Sequence, residues 1–287
     1  MDRVVGRMAP GHTTCPYRAT GIQGITRETM PSVTELDQLT VRRAFECRLT
    51  PDRALGSLDE AEAFLLDRGL LTRTTDSALP SLFEACHEEP YAPGKPGFGQ
   101  WPRTKFPWFG ELGVRGHLTL AVHGGKSLLV THETAQLLDP LCRAELDRRA
   151  DDPLLQHLAT AGPSELDDLQ LELGLAPKEL RRLRAPLERC GAVVARSVVY
   201  EEPHRHTSVL ARWDQVVPES SGGGLAELLV ASVRAAVLAP EDELARWFPW
   251  SEADLVERLV EEDRLSRPAP GWITETPGGG APAAPGP

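Results

Sequence analysis

Four cations share one side of the segment between Pro177 and Cys190. Lys178, Arg181, Arg182 and Arg189 stand at i, i+3, i+4 and i+11, and residues at such spacings are neighbours on a helix surface. Arg184 lies in the same segment, and Leu180, Leu183 and Leu187 supply its apolar positions. A helix of this kind can offer charge to phosphates and guanidinium forks to base edges. Arg196, and Arg205 with His206 further on, fall where a following hairpin would reach the flanking backbone. A second reading pairs the same cations with Glu179 and Glu188 as a solvated face. Sequence leaves both readings open.

Other residues offer less chemistry. His204 and His206 form an HxH pair, but a zinc site needs a third ligand and no residue is placed to be one, so no metal is expected. His117, His123 and His132 flank an expected hairpin and read as surface or core histidines. His87-Glu88-Glu89 is not HExxH, and no Walker loop, GxGxxG strand–helix pattern or GxSxG elbow occurs. Gly125-Lys126-Ser127 resembles the end of a phosphate loop without its upstream glycine. No cysteine has a base placed beside it, and no cofactor is expected. Trp101, Trp108 and Phe109 sit in a Pro/Gly-rich stretch with Arg103 and Lys105. Such a loop either stacks on bases or plugs itself onto the core, and the plug is the simpler reading.

The elements that must position these residues are short. Expected helices cover residues 34–49, a stretch capped by Ser57 and stopped by Gly69, residues 80–87 and residues 134–150. Residues 117–122 and 126–131 read as a hairpin turning at Gly124-Gly125. The stretch 153–217 gives helix, helix, turn, helix and β-hairpin, with Ser164 expected as a cap and Pro177 in a first helical turn. This is the order of a winged helix-turn-helix. Residues 225–275 repeat it more faintly after the Gly222–Gly224 linker, with Ser251 expected as a cap. The fold class expected is mainly α with small β-hairpins, as tandem winged helix-turn-helix units. The division expected is an extension at 1–31, a helical, winged-helix-like domain at 32–152, a central winged helix at 153–217, a C-terminal unit at 225–275 and a tail at 276–287. Met30 is read as a natural start, and the two ends as disordered on composition.

Composition bounds the partners. Hydrophobic residues at 41% and charged residues at 25% suit globular domains. The net charge of -11 excludes a wholly basic nucleic-acid grip, so any DNA contact must be local. Five cysteines without a CxxC pair read as reduced thiols in a cytoplasm. No apolar run approaches a membrane span. Oligomeric state is not legible.

Four stretches carry a family resemblance: Ala61–Thr74; Trp108-Phe109-Gly110-Glu111-Leu112; Gly125-Lys126 running into Val130-Thr131; and Gly162-Pro163-Ser164 through to Ala211-Arg212-Trp213-Asp214. With these the chain resembles the AlkZ/YcaQ-type winged-helix proteins, which include bacterial DNA glycosylases. The resemblance implies tandem winged helices around a concave DNA-binding surface. Active members of that family carry a Gln-x-Asp or Gln-x-Gln motif after a Gly-apolar-apolar step. Here Gly69-Leu70-Leu71 is followed by Thr72-Arg73-Thr74, so the resemblance places Thr72 and Thr74 at the catalytic positions. A Thr hydroxyl can orient water but has no useful basicity. Asp76, Glu84 or Glu111 would then have to supply the carboxylate.

Three functions follow as expectations. The first is a protein that binds double-stranded DNA, related to those glycosylases and acting in repair or in resistance to alkylating agents. The second is a winged-helix transcription regulator. The third is a protein-interaction scaffold that docks through the acidic C-terminal unit, whose last helix carries Glu252, Asp254, Glu257, Glu261 and Glu262.

Overall fold

The computed structural model describes residues 34–95, 98–200 and 205–277, with the side chains of Val199, Tyr200, Arg205 and His206 outside that description. The sequence readings for residues 1–31, for 278–287 of the tail and for His204 fall outside the described residues.

The first helix, α1 (Glu35–Glu46), starts at a reciprocal cap. The Asp37 N–H donates to the Thr34 hydroxyl and the Thr34 N–H donates to the Asp37 carboxylate, each at 3.1 Å. This helix buries no residue fully. Phe45 is 57% exposed, and the Arg53 guanidinium lies over its ring at 4.0 Å.

From there one order of elements, helix, strand, helix, helix, strand, strand, occurs three times. The first copy is α2 (Leu58–Arg68), β1 (Leu70–Thr72), α3 (Leu82–Ala85), α4 (Trp108–Val114), β2 (Leu118–His123) and β3 (Lys126–Val130). A long helix, α5 (His132–Arg148), leads to the second copy: α6 (Pro153–Ala161), β4 (Ser164–Glu165), α7 (Leu166–Leu173), α8 (Pro177–Arg189), β5 (Val193–Tyr200) and β6 (Arg205–Arg212). A single turn, α9 (Trp213–Val216), precedes the third: α10 (Leu225–Ala236), β7 (Ala239–Pro240), α11 (Glu241–Trp247), α12 (Leu255–Glu261), β8 (Leu265–Ala269) and β9 (Trp272–Glu275). Each copy closes a small antiparallel sheet in which the last strand is central, in the orders β1-β3-β2, β4-β6-β5 and β7-β9-β8. The chain is thus mainly helical with small antiparallel sheets.

Four local expectations are corrected. Trp108 and Phe109, read as part of a loop, open a helix that runs from Trp108 to Val114. Phe109 and Leu112, three apart, are buried on its inner side, while Gly110 and Gly113 lower its helical propensity and hide it in sequence. The strand β1 was not expected. Its three residues are all buried because the first sheet is covered on both faces. Leu70, Leu128 and Val130 face one apolar cluster, and Leu71 and Leu129 face the other, so no apolar–polar alternation appears. Ser164 lies in β4 and gives its hydroxyl proton to the Gly162 carbonyl, while α7 begins after Glu165 without a side-chain cap. Ser251 caps nothing either, because α12 begins after Asp254.

The larger apolar cluster includes residues of all three copies, among them Leu120, Val122, Leu180, Val193, Leu229 and Ile273. Helix α5 crosses it through Leu138 and Cys142. Asp139 on that helix is fully buried. It accepts hydrogen bonds from the Arg143 guanidinium at 2.8 Å, the Trp213 indole at 2.7 Å and the Ser220 N–H at 2.8 Å. The expected linker at Gly222–Gly224 is docked, not free. Gly223 has φ +103°, and a Cβ there would fall 2.7 Å from Leu137 Cα. The next N–H, of Gly224, donates to the Leu137 carbonyl at 2.9 Å.

Candidate functional site

Helix α8 is set by local chemistry at both ends. Gly174 takes φ +64° and turns the chain out of α7. Pro177 fills the first turn, where no N–H is missed. The Glu179 carboxylate accepts the Ala176 N–H at 2.9 Å. Leu180 and Leu187 are buried. On the opposite side Lys178, Arg181, Arg182 and Arg189 are all exposed.

The two acids expected to neutralise this face are committed elsewhere. Glu179 caps the helix start. Glu188 sits 3.4 Å from Arg184. Burial pushes the Glu188 carboxyl above its ordinary range, against the pull of Arg184. Arg184 is therefore half-buried beside Glu188 and does not belong to the exposed stripe. Among the described residues, no acidic side chain forms an ion pair with Lys178, Arg181, Arg182 or Arg189. Arg196 is exposed on β5. Arg205 pairs through its backbone with Tyr200 at the end of the hairpin, and its side chain lies outside the described residues. The stem of Arg189 passes the turn between β2 and β3, with its Cδ 3.2 Å from where a Gly125 side chain would begin.

The aromatic stretch forms a plug. Trp101 meets Phe83 edge-on at 5.7 Å and Phe98 at 5.0 Å, and Phe83 meets Phe109 at 6.2 Å. The Arg73 guanidinium lies 5.1 Å from the Trp101 ring and 5.6 Å from Phe109. Lys105 donates to the Leu55 carbonyl at 2.8 Å and serves as an internal tie. Of the basic residues in this stretch, Arg103 is exposed.

Thr72, Thr74 and Asp76 do not form one reactive group. Thr72 is 1% exposed, and its hydroxyl donates to the Pro80 carbonyl at 3.2 Å. That proton is committed to a main-chain carbonyl. Thr74 gives its hydroxyl proton to Asp76 at 2.7 Å, and Lys126 Nζ lies 2.6 Å from the same carboxylate. Partial burial pushes the Asp76 carboxyl up, but the hydrogen bonds from Lys126 and Thr74 outweigh it and hold it below the usual range. Asp76 lines a cleft of about 320 Å³ together with Ser77, His123, Lys126, Arg246 and Trp247. Glu84 and Glu111 are not among its lining residues.

Sequence reasoning missed Ser77 here, and it read His123 only as a surface or core histidine. The Ser77 hydroxyl lies 3.3 Å from His123 Nε2, and His123 Nδ1 lies 2.9 Å from the Trp247 carbonyl. Burial lowers the His123 pKa, and Lys126 adds to this, while the Trp247 carbonyl, Asp76 and Glu243 oppose it. No sequence signal joins three positions so far apart; only the folded chain brings them together.

The remaining polar residues are accounted for individually. His117 meets Glu62 at 3.0 Å, and His132 is exposed at the start of α5. Among the described residues no group of three His, Cys, Asp or Glu is placed to hold a metal. Cys47, Cys86, Cys142 and Cys190 are buried and unpaired. Burial pushes the Cys47 thiol to about 11 and the Cys86 thiol to about 12, so neither supplies a thiolate near neutral pH. Among the described residues no helix is long and apolar enough to cross a membrane.

The acids of the third copy are largely internally paired. Arg258 meets Glu252 at 2.7 Å, Arg267 meets both Glu241 and Glu257 at 2.6 Å, and Arg264 lies 3.4 Å from Glu227. Comparison of the chain with protein-family models, with curated proteins and with solved structures finds no match.

Proposed function

We propose that this chain binds double-stranded DNA as three tandem winged-helix units, with α8 as the helix that meets the duplex. The observation that carries the reading is the cation stripe of α8. Lys178, Arg181, Arg182 and Arg189 are exposed and lack ion-pair partners among the described residues, while the candidate acids Glu179 and Glu188 are held by a backbone N–H and by Arg184. A stripe free of ion pairs among the described residues, opposite a buried leucine face, suits phosphate neutralisation in a protein of net charge -11. Arg196 on β5 extends the positive surface along the hairpin. Support for the winged-helix assignment is the order helix, strand, helix, helix, strand, strand, repeated with one sheet order.

Binding is favoured here over base excision. The resemblance to winged-helix glycosylases needs reactive groups at Thr72 and Thr74, yet the Thr72 hydroxyl is buried against Pro80 and the Thr74 hydroxyl serves Asp76. A role in DNA repair or alkylation resistance therefore rests on recognition of DNA, and the cytoplasm is the compartment that suits it.

The test is binding to fluorescent duplex DNA over a range of salt concentrations, with and without Arg181→Ala plus Arg182→Ala. Affinity should fall with salt, and the double variant should reduce the log–log salt slope by roughly 2, about one for each phosphate left without its cation. No binding at low salt, or an unchanged slope in the variant, would remove α8 as the DNA-facing element.

A further inference from the structure

We propose that Ser77, His123 and the Trp247 carbonyl form a hydrolytic nucleophile relay that accepts short carboxylic esters in the cleft between the β2–β3 turn and α11. The proposal is independent of DNA binding, since none of its residues lies on α8.

Geometry assigns the roles. A carbonyl oxygen only accepts, so the proton between His123 and Trp247 sits on His123 Nδ1. Nε2 is then the unprotonated nitrogen, and it faces the Ser77 hydroxyl at 3.3 Å. Ser77 Oγ accepts the Leu79 N–H at 3.3 Å, which leaves its own proton to donate to Nε2. Nucleophile, base and orienting acceptor thus stand in series, with a main-chain carbonyl in the place that a carboxylate often fills. Free-enzyme spacings in such series are commonly somewhat long. His123 is 5% exposed, and burial favours its neutral form, the form a general base needs.

The surroundings select the substrate. Asp76 is occupied by Lys126 and Thr74, and the Glu243 carboxylate accepts the Ala78 N–H at 2.8 Å. Neither acid competes for the serine proton. Lys126 and Arg246 also line the cleft, paired in the resting protein with Asp76 and with Asp242 at 3.1 Å; an ester oxyanion would have to draw one of them from its carboxylate to be stabilised. The cleft holds about 320 Å³, which suits a small ester and not a long acyl chain.

The reaction balances without any further reagent. The Ser77 proton passes to His123 Nε2 as Oγ bonds to the ester carbonyl carbon. The tetrahedral adduct collapses, the bond to the alkoxide breaks, and that oxygen takes the proton from Nε2–H. Water then attacks the acyl-serine by the same proton route, releasing the acid and restoring Ser77. One ester and one water give one acid and one alcohol.

A fluorophosphonate probe tests this on the full chain, with mass spectrometry of the adduct and with 4-nitrophenyl acetate as a reporter ester. One adduct on Ser77 is expected, absent in Ser77→Ala, whose DNA binding stays at the level of the unaltered protein. His123→Gln should slow labelling on the order of 100-fold. Because His123 is buried and its replacement can disturb folding, the unaltered protein is also labelled from pH 8 down to pH 4, where the rate should fall as the imidazole gains its proton below its ordinary range. Absence of an adduct, an adduct that persists in Ser77→Ala, or a rate that is flat across that range would overturn the proposal.

Discussion

The indole N–H of Trp213 donates to Asp139 Oδ1 at 2.7 Å, and both residues are fully buried. One carboxylate thereby joins α5 to the end of the second copy. It also accepts from Arg143 and from the Ser220 N–H, and Arg143 in turn donates to the Val217 carbonyl at 3.1 Å. Removing the carboxylate leaves the Trp213 indole and the Ser220 N–H without their acceptor and takes one of two partners from Arg143. Asp139→Ala should therefore lower stability by about 3–5 kcal/mol, the range for breaking a buried charged pair. The urea midpoint, at constant m-value, measures it. A loss below about 1 kcal/mol would mean that water replaces the carboxylate.

Arg184 separates the exposed stripe of α8 from its flank. Although it is one of five cations in the segment, it is half-buried beside Glu188. Arg184→Ala should leave the salt slope of DNA binding within experimental scatter, whereas Arg181→Ala should lower it by roughly one. Equal effects of the two substitutions would show that net charge, and not the stripe, governs binding.

Glu188 gives a pH-dependent prediction. Its carboxyl is raised above the ordinary value by burial, so the folded protein favours the protonated form. Its contribution to stability is therefore present below the unfolded pKa and is lost as pH rises through the folded pKa. Glu188→Gln, which mimics the neutral form, should raise the Tm at pH 7 and leave it unchanged near pH 3.5. A lower Tm at pH 7 would mean that the 3.4 Å contact with Arg184 outweighs burial.

Gly223 is held where a side chain cannot go. With φ +103° and Leu137 Cα 2.7 Å from the position of a Cβ, Gly223→Ala combines backbone strain with a clash against main chain, which cannot move aside cheaply. A cost of about 1–3 kcal/mol is expected, read from the thermal midpoint. The neighbouring Gly222, whose Cβ would meet nothing within 4 Å, is the control and should tolerate alanine.

Punctuation made much of the fold legible. Ser57 before α2 acts through its hydroxyl, which accepts the Glu60 N–H, while Gly69 after it, Gly174 before α8 and Pro177 at its start act through backbone geometry, and each does in the fold what its residue type predicts. The failures share a cause. Helix α4 is specified by Phe109 and Leu112 meeting a core built by distant residues, and β1 exists because β3 offers it an edge. Ser164 and Ser251 look like caps, but the tertiary fold starts their helices elsewhere. The stripe on α8 could be read because one helix carries it. That it lacks ion-pair partners among the described residues could not, since this depends on where Glu179 and Glu188 turn. Ser77 and His123 meet only through the closure of the first copy, and Trp247 comes from the third.

A chain with a threefold internal repeat invites the expectation of modular parts, each removable and each melting separately. The apolar cluster argues otherwise, because Leu120, Leu180 and Ile273 belong to one contiguous core. Cutting the chain after α9 would expose the surfaces of α5 that α10 covers, and the truncated protein should aggregate instead of surviving as a two-unit fragment. In calorimetry the intact chain should melt in a single transition whose van't Hoff and calorimetric enthalpies agree. The repetition is thus a record of how the chain is patterned, while the thermodynamic unit is the whole described body from Thr34 to Pro277.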